Sequence, residues 1–251
     1  MTDLLDRHRG RRAESPYFWL RLLIATVGQR DIRPLVRARL RGESFAAIHG
    51  LENLPTSGDF TLAVNHYNGR AALDVVATVL GAVTRVRPDV VRDIAFIVGQ
   101  AHRPRPALFS RLMIGGRAWV FRRWARHAVR VPLRNLTPSP VGLRDWAARG
   151  QPIFVFPEGK SRLRLGAVRS GAGRWLASLD APTLPVGVWW VRGEGWHIRF
   201  GSTIRWPTKR YLQDTQLALK LADLLPSDLA PDWQADLARW REAIKGKIVS
   251  D

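Results

Sequence analysis

The stretch "TLAVNHYNGRAALD" (61–74) ends an apolar run in Asn65-His66, and Asp74 follows. A histidine there can act as a general base, with a carboxylate just beyond to orient its ring. It can equally be a polar residue in an ordinary strand-to-helix turn. Two other segments also place polar groups at the ends of apolar runs. "GGRAWVFRR" (115–123) passes from a glycine turn into an apolar strand and delivers Arg122 and Arg123 at its end. Their planar guanidinium forks suit a phosphate; a basic surface strand is the bland alternative. "IFVFPEGKSRLR" (153–164) ends a buried strand in Glu158 and Gly159, then runs into Lys160, Ser161, Arg162 and Arg164. A carboxylate at a strand end among cations is expected to be ionised, orienting basic groups or a substrate hydroxyl; here the alternative is a solvated turn.

Elements must carry these residues. "FAAIH" (45–49), "FTLAV" (60–64), "IAFIV" (94–98), "AWVF" (118–121), "IFVF" (153–156) and "LPVGVWWV" (184–191) are short, apolar, and bounded by Gly, Pro or charge, as strands are. In the last of them Pro185 fixes the local backbone. Helical stretches lie between several of them, at 71–82, 105–113, 140–149 and 170–180. That alternation predicts an α/β domain with a largely parallel mixed sheet flanked by helices. In open sheets of this kind ligands sit beyond the carboxyl ends of strands. His66, Arg122 and Glu158 all fall at such ends, so one cleft could hold a base, a phosphate clamp and an orienting carboxylate. The last 40 or so residues are expected to be helical, with Trp233, Leu237, Trp240 and Ile244 on one face.

The N-terminus reads as two helices. "SPYFWLRLLIATVG" is apolar almost all round. "DIRPLVRARLRG" sorts Ile32, Leu35, Val36 and Leu40 to one side and Arg33, Arg37 and Arg41 to another, with Asp31 as N-cap and Gly42 as stop. Arg39 interrupts the apolar stripe. One reading is a hairpin packed on the protein's own core. The other is an interfacial anchor, apolar face in the acyl boundary and arginines on anionic headgroups. Tyr17, Phe18 and Trp19 favour the anchor, because aromatic rings suit the membrane interface.

Charge sets the outer bound. Lys+Arg total 40 against Asp+Glu 21, a net +19, and only five of the basic residues are lysines. Such a surplus favours nucleic acid, anionic lipid headgroups or phosphorylated substrates. The arginines are scattered through an α/β chain with no recognisable nucleic-acid module, so nucleic acid is not expected as a partner. The absence of cysteine excludes disulfides, thiolate metal sites and a cysteine nucleophile. The charged first residues do not read as a signal peptide. "PYFWLRLLIATVG", broken by Arg21, is shorter than the ~20 residues of a spanning helix.

Four blocks, taken in order, resemble one family. "HGLENLPTSGDFTLAVNH" is similar to the lead-in strand, turn and Asn-His of the lysophospholipid (1-acylglycerol-3-phosphate) acyltransferases, the glycerolipid acyltransferases. "GRAWVF", opening with Gly116 and closed by Arg122, resembles their second motif. "FPEGKSR" resembles "FPEGTRS", and "RSGAGRWLA…LPVGV" resembles the basic helix and fourth, proline-containing motif. The resemblance spans about residues 46–190. It implies a single acyltransferase α/β domain with C-terminal helices at 43–251, preceded by membrane-surface helices at 1–42. It implies acyl transfer, in phospholipid biosynthesis, from acyl-CoA or acyl-ACP to the hydroxyl of a lysolipid such as lysophosphatidic acid. The thioester is a co-substrate, and neither cofactor nor metal is required. By position His66 would be the base and Arg122 would bind the acceptor's phosphate, with Gly116 permitting close approach. Glu158 and Gly159 would complete the acceptor site. The expected setting is the cytoplasmic face of the membrane, peripheral or monotopic, and the N-terminal anchor reading puts Trp19, Arg33, Arg37 and Arg41 at the lipid surface.

The chain departs from the family pattern twice. The family's first motif is histidine, four residues, then aspartate; here position 71 is Ala, and Asp74 comes three residues late. Either a longer turn returns Asp74 to the imidazole, or no carboxylate orients His66, with Asn68 as a neutral substitute. A catalytically impaired lipid- or acyl-carrier-binding protein is the alternative this motivates. Lys160-Ser161-Arg162 stands where Thr-Arg-Ser is usual, so the cation is retained at Lys160 or at Arg162.

Overall fold

The computed structural model describes residues 45–67, 72–89, 95–99, 135–136 and 152–248. The expected N-terminal helices with Trp19, Arg33, Arg37 and Arg41, the expected strand at 118–121 with Gly116 and Arg122, and the expected helices at 105–113 and 140–149 lie outside them. Within them the strands are β1 (Phe45–His49), β2 (Thr61–Val64), β3 (Ala95–Gly99), β4 (Asn135–Leu136), β5 (Ile153–Val155), β6 (Thr183–Val191) and β7 (Gly195–Phe200). The helices are α1 (Ala72–Val83), α2 (Ala172–Ala177), α3 (Gln213–Asp223) and α4 (Gln234–Ile248).

The strands form a mixed sheet in the order β1-β7-β6-β2-β5-β3-β4. Every pairing is parallel except the β6–β7 hairpin. β2 lies between β5 and β6 and is buried at all four positions. A parallel strand covered on both faces must be apolar throughout, so "TLAV" does not alternate. Pro185 sits inside this sheet, where a missing N–H ordinarily costs a ladder bond. Its carbonyl faces the β7 side and accepts from the Gly201 N–H at 2.9 Å. In a strand the N–H and C=O of one residue point the same way, so the missing donor falls just past the end of β7 and the ladder to β2 is spared.

The entry to β2 is fixed by Arg87, buried just after α1. It donates to the carbonyls of Pro55 at 2.7 Å and Gly58 at 3.2 Å, pairs with Asp89 at 2.9 Å, and lies over the Phe60 ring. The core gathers Leu62, Val64, Phe154, Leu184, Val186 and Ile198 from the sheet with Val75, Val79 and Leu176 from the helices. Leu237 is buried, and Trp233 and Trp240 pack partly buried against the same core. Among the described residues no helix is long and apolar enough to cross a membrane.

Candidate active site

The site begins where β2 stops. The Asn65 N–H still bonds to the Val186 carbonyl at 3.2 Å, but its side chain takes over the ladder. Nδ2 donates to the Val188 carbonyl at 3.0 Å, and Oδ1 accepts from the Val188 N–H at 2.7 Å. A side-chain amide sets an N–H donor beside a carbonyl acceptor, as a backbone unit does. It completes the β6 edge while the main chain turns out of the sheet, and the first residue delivered by that turn is His66.

The loop after β5 grips His66 by both backbone groups. Its N–H donates to Glu158 Oε1 at 2.6 Å, and its carbonyl accepts from the Arg162 N–H at 3.1 Å. The second carboxylate oxygen of Glu158 accepts from the Gly166 N–H at 3.0 Å. Glu158 therefore ties the two strand ends together through main-chain donors. Gly159 next to it has φ 65°, a left-handed turn that glycine enters without steric cost. Tyr67 bridges in parallel to Arg162 and donates its hydroxyl to the Trp190 carbonyl at 3.3 Å. Phe156 stacks on the imidazole, ring centroids 4.3 Å apart and planes 14° from parallel. Phe154 packs edge-on against Phe156.

Burial dominates the electrostatics. It lowers the His66 pKa from 6.5 to about 4, so the ring is neutral at physiological pH. Nδ1 is buried and has no hydrogen-bond partner among the described residues. Burial pushes the Glu158 carboxyl above its ordinary value, while the Gly166 and His66 N–H groups and the Arg162 guanidinium pull the other way. The neighbouring cations alone would have kept this carboxyl fully ionised; the cost of desolvating it is the larger effect. Burial likewise raises the Tyr67 hydroxyl, which stays protonated.

The structure thus joins His66, Glu158, Gly159 and Arg162, four of the residues singled out in the sequence. Lys160 and Arg162 are both exposed. Asp74 is half-buried in the first turn of α1 and makes no hydrogen bond to His66 Nδ1. The contact shown to the ring is the Phe156 stack. Gly116, Arg122 and Asn68 lie outside the described residues. Asn65 and Phe156 shape the site without having been given a role by the sequence. The signal for Asn65 was its place between a buried strand and a candidate base. For Phe156 there was none beyond its adjacency to Pro157-Glu158. Among the described residues no group of His, Asp and Glu could hold a metal ion.

Fold and site are those of a mainly parallel α/β protein with a half-buried, neutral histidine at a strand end. No protein-family model and no curated protein sequence matches the chain. Among solved structures it is similar to the crystal structure of the 1-acyl-sn-glycerophosphate (LPA) acyltransferase PlsC from Thermotoga maritima. The two share 16% identity over 85% of this chain and 88% of that one, with a TM-score of 0.46.

Proposed function

We propose that this protein is an O-acyltransferase working at a membrane surface, with an acyl thioester as donor and a lysophospholipid-like acceptor. The observation that carries the reading is the clamped, neutral His66 beside Glu158, on the segments "NH" and "FPEG" that resemble the glycerolipid acyltransferases. In the proposed step the imidazole takes the acceptor hydroxyl's proton as that oxygen attacks the thioester carbonyl. The tetrahedral oxyanion collapses, the carbon–sulfur bond breaks, and the thiolate leaves with the proton that His66 returns. An ester and a free thiol result. Backbone amides near the glycine turns are the donor type available for the oxyanion. A positioned base contributes ~10²–10⁴-fold to such a reaction.

Lysophosphatidic acid is the preferred acceptor in this reading. Its phosphate would meet Arg122, with Gly116 allowing approach and Lys160 or Arg162 adding charge. Glu158 acts as a positioning residue, since both its oxygens are taken by main-chain donors. Residues 15–42 would hold the protein on the anionic cytoplasmic leaflet. The test is transfer of a labelled acyl group from acyl-CoA and from acyl-ACP to a panel of lysolipids. Transfer to phosphate-bearing acceptors supports the reading, and inertness with every pair opposes it. The second reading, a lipid- or acyl-carrier-binding protein with impaired catalysis, is favoured by the unpartnered Nδ1 of His66. It predicts binding of the same ligands without turnover.

A further inference from the structure

Tyr211 and Leu212 are adjacent, apolar and 71% and 39% exposed. Single exposed apolar residues need no explanation, but this pair ends the acid-free run "RWPTKRYL" (205–212). Arg205, Lys209 and Arg210 in that run are exposed, and none is in an ion pair among the described residues. The turn is held rigidly from below. Trp206 packs against the core, the Leu212 N–H donates to the Lys209 carbonyl at 3.0 Å, and Gln213 Nε2 donates to the Pro207 carbonyl at 3.1 Å.

The turn is also joined to the site loop. Asp214, two residues on, accepts from the Gly171 and Gly173 N–H groups, each at 2.7 Å. Arg169, between Glu158 and Gly171, donates its N–H to the Pro157 carbonyl at 2.8 Å. Arg169 and Arg174 are exposed cations on that connecting segment. We propose that residues 205–212, extended by Arg169 and Arg174, form a second lipid-docking surface, which seats Tyr211 and Leu212 among the headgroups of an anionic bilayer. Cations draw such a surface in, and an aromatic-aliphatic tip gives it depth. The inference rests on the membrane-surface part of the proposed function and adds a contact outside the N-terminal helices.

The chain has no cysteine, so Tyr211→Cys can carry a single environment-sensitive fluorophore on the full-length protein. Equimolar phosphatidylcholine–phosphatidylglycerol vesicles should blue-shift and brighten it. Pure phosphatidylcholine should not, nor should the same label at Thr56→Cys respond, on the exposed loop before β2. Lys209→Glu with Arg210→Glu should weaken partitioning into the anionic vesicles by roughly tenfold or more, with unchanged acyl transfer to a short-chain, monomeric acceptor. A silent label at position 211 while the protein co-sediments with the vesicles would overturn the inference and leave the acyltransferase reading standing. So would unchanged partitioning of the charge-reversal variant. A label that responds to acyl carrier protein, or to protein concentration alone, without vesicles would overturn it in favour of an acidic partner or a second copy.

Discussion

His66 owes its state to burial, and that makes its pH behaviour specific. With the ring's pKa lowered to about 4, kcat/KM should stay level down to about pH 5 and fall only as pH drops through 4. A break near the ordinary 6.5 would contradict a ring whose charged form burial disfavours. Stability follows with a definite sign. The unfolded chain protonates His66 near 6.5 and the folded chain only near 4, so stability is complete above 6.5 and is lost as pH falls between the two values. A shift of this size corresponds to about 3 kcal/mol at most. Urea melts of His66→Gln against wild type across that window would read the difference. At Glu158, replacement by Gln leaves one oxygen and turns an amide N–H toward a backbone donor. The expected loss is ~1–3 kcal/mol of stability, read as a lowered thermal midpoint; an unchanged midpoint would mean the clamp is not formed. His66 and Glu158 were legible in the sequence because each sits at the polar end of a buried apolar run, Glu158 as its first polar residue and His66 just after Asn65. The roles of Asn65 and Phe156 were not legible, since each is defined by a partner far along the chain. Asn65 and Val188 are 123 residues apart.

Strands with uninterrupted apolar runs, β2, β5 and β6, could be read from sequence to within a residue or two, because burial on both faces leaves only one composition open to them. β7 could not. "GWHIRF" mixes Trp, His and Arg because it completes the β6 hairpin and puts His197 and Arg199 on one face of it. There His197 stacks on Trp189, and Arg199 lies over the same ring. α2 is shorter than its apolar pattern suggested, Ala172–Ala177 rather than 170–180, and it lies close against α3. A Cβ on Gly173 would stand 2.3 Å from the Gln213 carbonyl oxygen and 2.7 Å from the Asp214 nitrogen. Both are backbone atoms and neither can swing aside. Gly173→Ala must part the two helices and strain the Asp214 cap, for an expected loss of about 1–3 kcal/mol, measurable by denaturant titration. A variant as stable as wild type would refute this close approach.

The molecule as a whole carries a net charge of +19 around a sheet whose described faces are conventionally apolar. The surplus therefore acts at surfaces, and under the proposed function its partner is anionic lipid. Deleting residues 15–42 should release the protein from anionic vesicles, at least in part, and added salt should do the same for the intact chain. Co-sedimentation unaffected by both would argue against electrostatic docking. The α/β architecture was legible at this scale, because strand and helix periodicities alternate along the chain. The spacing from His66 to Asp74 did not say which way Asp74 faces, because the turn between them sets that direction.

The most direct test of the central claim is acyl transfer from acyl-CoA and acyl-ACP to lysophosphatidic acid by wild type, His66→Ala and Asp74→Asn. Wild type should transfer, and His66→Ala should fall by ~10²–10⁴. Asp74→Asn should stay within roughly tenfold of wild type, since Nδ1 of the ring makes no hydrogen bond to it. An inert wild type, or His66→Ala as active as wild type, would contradict a histidine-based acyltransferase; equal loss in both variants would contradict a base that works without Asp74.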